Sequence, residues 1–474
     1  MSTAAIDSAG VRTGPDALVR SLVFMGMALA VISSLGAPLV PQIAGAYHVS
    51  LSQAQWSLTI TLLTGTVATP VLGRLGDGPH RRSATLVAVA ASALGCALAA
   101  LPLGFGVLLV GRALQGAGIG VIPLAITTAR DALSPERGRR TVAMLSITTA
   151  AGVGLGYPLT GLIAQGIGLR AAFWFGAVIS AISFVVGLRV LPRSGHLRRR
   201  PLDLPGACLL GSGLTGLMLV LSEGGTWGWA SGRLLGLLGL SVVLLAAWAV
   251  HELRCAHPLI DLRVARYRSV MVANLVIAVL GVAMYLLMSL VTRLAQTPVH
   301  TGYGFGASVA VTGLALLPFS ATSVAASRAE HRLSRRLSPR TVLALSCLIC
   351  LGALVFFTLA HSALWQLFVA MGMAGLGVGC GFAVIPQLIV LAVPATETGS
   401  AMSFNQVLRC VGYTVGSALS ATVLQSHTAA GQLLPTAGGY SAAGLVGVLS
   451  AAAAVLIALV FSPRLHPAAV AETG

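Results

Sequence analysis

Apolar runs of about 20 residues recur along the whole chain, and that recurrence leaves few folds open. Each run is long enough to cross roughly 30 Å of hydrocarbon as a helix. Hydrocarbon offers the backbone no hydrogen-bond partners, so only helices and closed barrels can span it. A barrel would show alternating ten-residue segments with a polar lumen face, and the sequence has no such alternation. Of the 474 residues, 9% are charged and 56% hydrophobic. A soluble domain sits near a quarter charged, so water is not the main solvent of this chain. The expected fold class is an all-α polytopic membrane protein.

Hydropathy and the arginine-rich or turn-rich breaks predict fourteen spans. They fall near 20–42, 53–73, 83–103, 105–128, 141–164, 171–191, 205–222, 233–251, 271–294, 305–327, 341–360, 364–392, 399–425 and 441–462. The first residues are polar and lack an apolar core ending at a small-residue cleavage site, so the first long run reads as span 1 and not as a leader. Arginine sets the orientation. With the N-terminus inside, cytoplasmic segments carry 24 arginines and outside loops carry two, Arg170 and Arg233. That positive-inside bias predicts cytoplasmic termini in a bacterial plasma membrane. It also accounts for the net charge of +17, which reads as topology and contact with anionic lipid, not as nucleic-acid binding.

Two stretches echo each other. "GRLGDGPHRRS", residues 73–83, follows span 2, and "SRAEHRLSRRLSPR", residues 327–340, follows span 10. Both mix acid with clustered arginine, and both precede a span that begins with small residues. The echo predicts two related six-span halves, the build of a secondary transporter with a midplane site. The expected divisions are a cytoplasmic tail (1–19), an N-terminal six-helix bundle (20–191), a linker with inserted spans 7 and 8 (192–251), a C-terminal six-helix bundle (252–462) and a second cytoplasmic tail (463–474).

"GRLGDGPHRRS" resembles the loop 2–3 signature of the major facilitator superfamily through Gly73, Asp77, Arg81 and Arg82. It departs from the pattern at His80, where a second glycine is usual. "GRALQGAGIG", 111–120, looks like the family's span-4 signature, with Arg112, Gln115, Gly116 and Gly120. "GVGLGYPLTG", 152–161, is similar to its span-5 antiporter signature at Gly152, Gly156, Pro158 and Gly161, with Tyr157 separating a Gly-Pro pair that is commonly adjacent. "RPLDLPGACLL", "SEGGTWGW", "HELRCAHPLIDLRV" and "FNQVLRCVGYTVG" resemble segments of its fourteen-span drug:proton antiporter branch. The resemblance covers essentially the whole chain. It implies the major facilitator fold with two inserted helices, an alternating-access transporter that is no enzyme, and a cavity between the halves.

The residues themselves carry several expectations. Asp77 can pair with Arg81 or Arg82, or meet a helix N-terminus, and so act as a gating lock. Arg81 and Arg82 could serve topology alone, but an acid contributes nothing to the positive-inside rule. Gly116 with Gly120, Gly152 with Gly156, Gly377 with Gly381 and Gly412 with Gly416 are GxxxG pairs that let helix backbones approach closely. Pro38, Pro41, Pro158 and Pro386 can kink their helices. Three arginines fall within spans. Arg293 is close enough to the outside to snorkel, whereas Arg112 and Arg409 lie deep, where charge is costly without a wet cavity or a partner. Gln115, Asn405 and Gln406 lie beside them and can share a substrate or proton pathway. Arg409 could equally bond neighbouring helix carbonyls.

No Asp, Glu or His lies deep in any span, and Asp77, Asp131, Glu223 and Glu397 all fall at edges or in loops. The span-1 aspartate of the resembling branch aligns with Ile32. A cavity offering arginine suits anionic or neutral amphiphiles better than simple cations. "CLIC", 347–350, has redox spacing but sits in an apolar helix, where packing is its natural role; no metal or cofactor is expected. The expectation is a monomeric exporter of small amphiphilic compounds, coupled to protons. Uptake of an organic anion is the second transport reading. A membrane-embedded acyltransferase would need a His, Asp or Cys constellation at one face, and the ten histidines are scattered singly.

Overall fold

The computed structural model describes residues 14–76, 78–192, 203–256, 258–260, 262–263, 267–333, 336–393, 398–429, 432 and 434–461. Sixteen α-helices run in order: α1 Pro15–Ser33, α2 Val40–Tyr47, α3 Leu51–Gly76, α4 Arg81–Ala100, α5 Phe105–Gly116, α6 Val121–Ala132, α7 Pro135–Gly166 and α8 Leu169–Val190, then α9 Leu204–Trp227, α10 Gly232–Arg254, α11 Arg268–Gln296, α12 Val309–Leu333, α13 Pro339–Leu359, α14 Leu364–Ala392, α15 Thr398–Ser426 and α16 Ala437–Phe461. Thirteen stretches of helix among the described residues are long and apolar enough to cross a membrane, so the chain is a multi-pass membrane protein. The fourteenth expected span, α7, is 32 residues long but diluted by glycine, threonine, Tyr157 and Pro158.

Local chemistry sets the helix starts. Pro15, Pro135 and Pro339 each open a helix in its first turn, where a missing N–H costs nothing. Side-chain caps add partners for orphan amides: Asp203 accepts from Gly206 N, Ser231 from Leu234 N and Ser338 from Thr341 N. Gly104 and Gly168, with φ of 99° and 118°, turn the chain sharply just before α5 and α8.

Two expected spans are not single α-helices. Span 1 ends as α1 at Ser33, bends through Gly36, passes through a 3-10 turn at Ala37–Leu39 and resumes as α2. Pro38 cannot donate to the Ser34 carbonyl four residues back and its ring crowds that carbonyl, so α1 does not run on; Pro41 falls in the first turn of α2, where a missing amide costs nothing. Span 4 is divided by a 3-10 turn at Ala117–Gly120, between α5 and α6. The other expected spans match single helices. Of these, α7 starts six residues earlier than expected and α12 extends six residues further.

Burial groups the helices. Residues of α1 to α8 share one apolar core containing Leu22, Ile32, Val89, Leu108 and Phe173. Residues of α11 to α16 share two, around Leu286, Phe357 and Met371 and around Val276, Cys347 and Ile389. The pair α9 and α10 leans on both groups through Leu210, Leu214 and Met218, which meet Leu63 and Val407. Exposed Leu235, Leu240, Val242 and Val243 on α10 fit a lipid-facing surface.

Candidate functional site

One end of the bundle carries the arginine-rich connections and is called the basic end; the other is the distal end. At the basic end Arg81 is buried and does more than set topology. Its Nε donates to Gly76 O at 2.6 Å, its Nη1 to Thr127 O at 3.5 Å, and its Nη2 pairs with Asp131 Oδ2 at 2.6 Å. One guanidinium thus joins α3, α4 and α6. Arg82 Nη2 donates to Leu188 O at 2.5 Å and so ties α4 to the last turn of α8. Gly73 is half-buried on α3. Asp77 and Glu397 lie outside the described residues.

The glycine motifs are points of close helix approach. A Cβ on Gly116 would meet Thr64 Oγ1 and Thr61 O of α3, and one on Gly120 would meet Leu72. Gly152 and Gly156 face α1, where added carbon would meet Ala30, Met27, Ser34 and Val31. Gly377 and Gly381 lie on Ser346 and Cys350 of α13, and Gly412 and Gly416 on Ala278 and Val282 of α11. Gly161 meets α12 instead, with Val309 O 2.9 Å from where its Cβ would stand. On α12, Gly313 returns the contact against Tyr157 and Pro158.

In the middle of the bundle Arg112 is 1% exposed. Its Nε donates to Ser57 O at 2.9 Å and its Nη1 to Gln115 Oε1 at 2.6 Å, while Thr61 Oγ1 donates to Arg112 O at 3.0 Å. Arg112 is therefore a strut between α5 and α3, packed against Gly36 at the break in span 1. Arg409 has a different setting. It is half-buried, its Nη2 donates to Gln406 Oε1, its guanidinium lies over the Phe382 ring at 4.9 Å, and its Nε has no partner among the described residues. Asn405 Nδ2 donates to Asn274 Oδ1 at 2.9 Å, holding α15 to α11. Arg112 and Arg409 do not touch. Between them stand three tyrosines that nothing in the sequence connects. Tyr157 comes from α7, Tyr285 from α11 and Tyr413 from α15. The Tyr285 and Tyr413 rings lie 5.5 Å apart, Tyr157 is in electrostatic range of both, Arg112 of Tyr157 and Tyr285, and Arg409 of Tyr413.

A set of bonds crosses between the two helix groups near the distal end. Gln55 Nε2 of α3 donates to Ser417 Oγ of α15 at 2.7 Å, and Gln55 Oε1 accepts from Arg293 Nη2 of α11 at 2.7 Å. Gln296 Nε2 donates to Pro38 O at 3.4 Å, and Ala310 N to Gln165 Oε1 at 3.3 Å. Deeper in, Tyr157 Oη donates to Met288 Sδ at 3.5 Å. Arg293 thus clasps the opposite group of helices, in place of the snorkelling expected of it. Its length of sequence from Gln55 hides that partnership.

Carboxylates near helix ends are buried, at Glu252 and Glu330, or half-buried, at Glu223. Glu252 accepts from Trp248 Nε1 at 2.9 Å and Ile260 N at 3.3 Å, Glu330 accepts from Gln387 Nε2 at 3.1 Å, and Glu223 accepts from Trp56 Nε1 at 3.3 Å. Asp203, His251 and Cys255 bring three possible metal-ligating atoms within 4.8 Å of one another, a grouping the scattered histidines did not suggest. His251 Nε2 sits 2.9 and 3.0 Å from the two Asp203 oxygens, so a direct hydrogen bond between them already accounts for two of the three.

The profile of the Major Facilitator Superfamily matches residues 22–417, and again 297–474. The chain is 28% identical over 394 residues to the multidrug resistance protein Stp of Mycobacterium tuberculosis, covering 82% of this chain and 72% of that one. It is 26% identical over 432 residues to the tetracenomycin C resistance and export protein of Streptomyces glaucescens, covering 89% and 78%. Among solved structures it resembles a peptide transporter, POT, with a TM-score of 0.67 at 16% identity over 97% of this chain and 99% of that one. It also resembles the human organic anion transporter MFSD10, with a TM-score of 0.63 at 16% identity over 94% and 100%. The profile spans both helix groups and the inserted pair, the solved folds agree with it, and the chain accordingly belongs to the major facilitator superfamily and is a membrane transporter.

Proposed function

We propose that this transporter exports small amphiphilic compounds, drugs or an endogenous metabolite, by alternating access and in exchange for protons. The observation that carries the reading is the distal clasp. Gln55, Ser417 and Arg293 hold the two helix groups together at one end, above a mid-bundle set of half-buried polar and aromatic side chains. A transporter closed at one end and able to open there is the minimal device for alternating access. The names of the resistance and export relatives support export over uptake.

In this reading the basic end and both termini face the cytoplasm of a bacterial plasma membrane, and the protein works as a monomer. The bundles comprise 20–191 and 252–462, with 192–251 as the inserted segment. Asp77, Arg81, Arg82 and Gly73 form the cytoplasmic gate. Gln406 and Arg409 stand on the pathway for substrate and protons, and the buried Arg112, Gln115 and Asn405 serve it from behind its surface. The glycines at 116, 120, 152, 156 and 161, with Pro158, form the packing surfaces that move.

The test is a proteoliposome assay with an imposed proton gradient, following internal pH while compounds of different charge are added. Substrate-dependent proton movement that disappears in Arg112→Ala supports antiport. Substrate flux without proton movement removes the proton from the mechanism, and accumulation with the opposite sense replaces export by uptake.

A further inference from the structure

Resting on the reading of the mid-bundle site as the substrate pathway, we infer that Tyr285, Tyr413, Phe382 and Arg409 form a recognition site for planar aromatic compounds that carry a delocalised negative charge, a fused-ring phenolate or aromatic carboxylate. Tyr157 closes the site from the opposite helix group.

Four observations carry this. The first is depth. Arg409 lies 11 residues, about 16 Å by helix rise, from the basic-end start of α15, and Tyr413 one turn further, so both are mid-membrane. The second is unused donor capacity. A guanidinium offers five N–H donors, and among the described residues Arg409 spends them on Gln406 alone, with Nε buried and unpartnered. A charge at that depth needs either a partner or water. The third is the company it keeps. The guanidinium already lies over the Phe382 ring, with Cζ 4.9 Å from its centroid, so an anion that pairs with Arg409 meets an aromatic neighbour at once. The paired Tyr285 and Tyr413 rings then supply flat aromatic surface beside the charge, and both are half-buried, so a ligand can reach them. The fourth is sign. Among the described residues every acidic side chain lies at or near a helix end, so none of them competes for Arg409 or welcomes a cation at this depth. Arg112, too buried to touch a ligand, adds positive potential from across the tyrosines.

The chemistry distinguishes this ligand class from its neighbours. An aliphatic anion would satisfy Arg409 and waste the rings. A planar cation would gain the rings and pay for a positive site without a counter-charge.

The experiment is calorimetric binding to the purified full-length protein in lipid nanodiscs, which does not depend on transport. The probes are 3-hydroxy-2-naphthoate, its uncharged methyl ester, 2-naphthylmethylammonium and decalin-2-carboxylate. The naphthoate is expected to bind at least about ten-fold more tightly than the other three, the interval of one 1.4 kcal/mol step. Arg409→Gln is expected to erase the preference of naphthoate over ester, while Arg409→Lys, which keeps the charge, retains part of it. Tyr413→Leu is expected to weaken all three aromatic probes and leave decalin carboxylate unchanged, which also certifies a folded variant. Equal or tighter binding of the ammonium probe, or a naphthoate preference that survives Arg409→Gln, overturns the assignment. The expected binding order in a protein that moves none of these compounds across proteoliposomes keeps the site and removes the reading of it as the substrate pathway.

Discussion

Arg81 and Gly36 show how much one position can hold. Arg81 reaches Gly76 O, Thr127 O and Asp131 with one planar group, a pattern that an ammonium on a flexible stem cannot reproduce. Arg81→Lys is therefore expected to lose one or two charge-assisted bonds and roughly 1–3 kcal/mol, read as a lower thermal midpoint in detergent. An unchanged midpoint would mean that the α3–α4–α6 junction does not depend on the fork. Gly36 occupies the break in span 1, where a Cβ would collide with Leu58 and stand 2.7 Å from Arg112 Nη2. Gly36→Ala should cost about 1–3 kcal/mol by overpacking and displace the Arg112 strut. Gly45→Ala, which meets nothing within 4 Å, should leave the midpoint where it was. At this scale the sequence was informative about which arginines matter and poor about what they touch. Arg81 and Arg112 stood out as charge in an apolar chain, but Asp131, Ser57 and Gly36 are brought to them by tertiary packing. Arg293 shows the same limit: its place near a span end predicted solvent, and its partner Gln55 is 238 positions away.

Helices were more legible than contacts because hydrocarbon imposes a length that hydropathy reports directly. The ends of α11, α14 and α15 fall within three residues of the expected spans. The misses have local causes. Hydropathy cannot register that Pro38 removes a backbone donor, so span 1 read as one helix and is two. Nor does it register amphipathic extension, so α12 runs on to bury Glu330 against Gln387. The small-residue motifs gave helix packing but not the partner. Gly156 lies on α1, so Gly156→Leu should push α1 and α7 apart; Gly166→Leu on the same helix meets open space. We expect the first to abolish transport in proteoliposomes at normal membrane insertion and the second to keep it. Comparable transport in both would show that α1 and α7 need not approach closely. The three tyrosines were not legible at all, because each is an unremarkable aromatic in its own helix. Only the folding together of α7, α11 and α15 makes them one surface.

For the whole molecule, the distribution of arginine and the echo between the two acidic-basic loops led to the expectation of two helix groups with a pathway between them. Neither could indicate which end is shut. The clasp of Gln55, Ser417 and Arg293, with Gln165 meeting Ala310, joins the groups at the distal end. If substrate leaves by that end, those contacts must break and reform in every cycle, and a covalent bridge there must stop transport. The bridge can be made by Gln55→Cys with Ser417→Cys in a background from which the seven native cysteines have been replaced, joined by a short, reducible bis-thiol reagent. The two positions hydrogen-bond at 2.7 Å, so cross-linking should proceed without added substrate. Transport should fall at least about ten-fold, a barrier increase of roughly 1.4 kcal/mol or more, and return on reduction. A bridge on one group only, between Ser289→Cys of α11 and Ser420→Cys of α15, whose hydroxyls hydrogen-bond at 2.6 Å, does not span the two groups and should leave transport intact. Full transport with the distal bridge closed would place the exit elsewhere, because no rocking of two rigid bundles can open an end that is covalently shut.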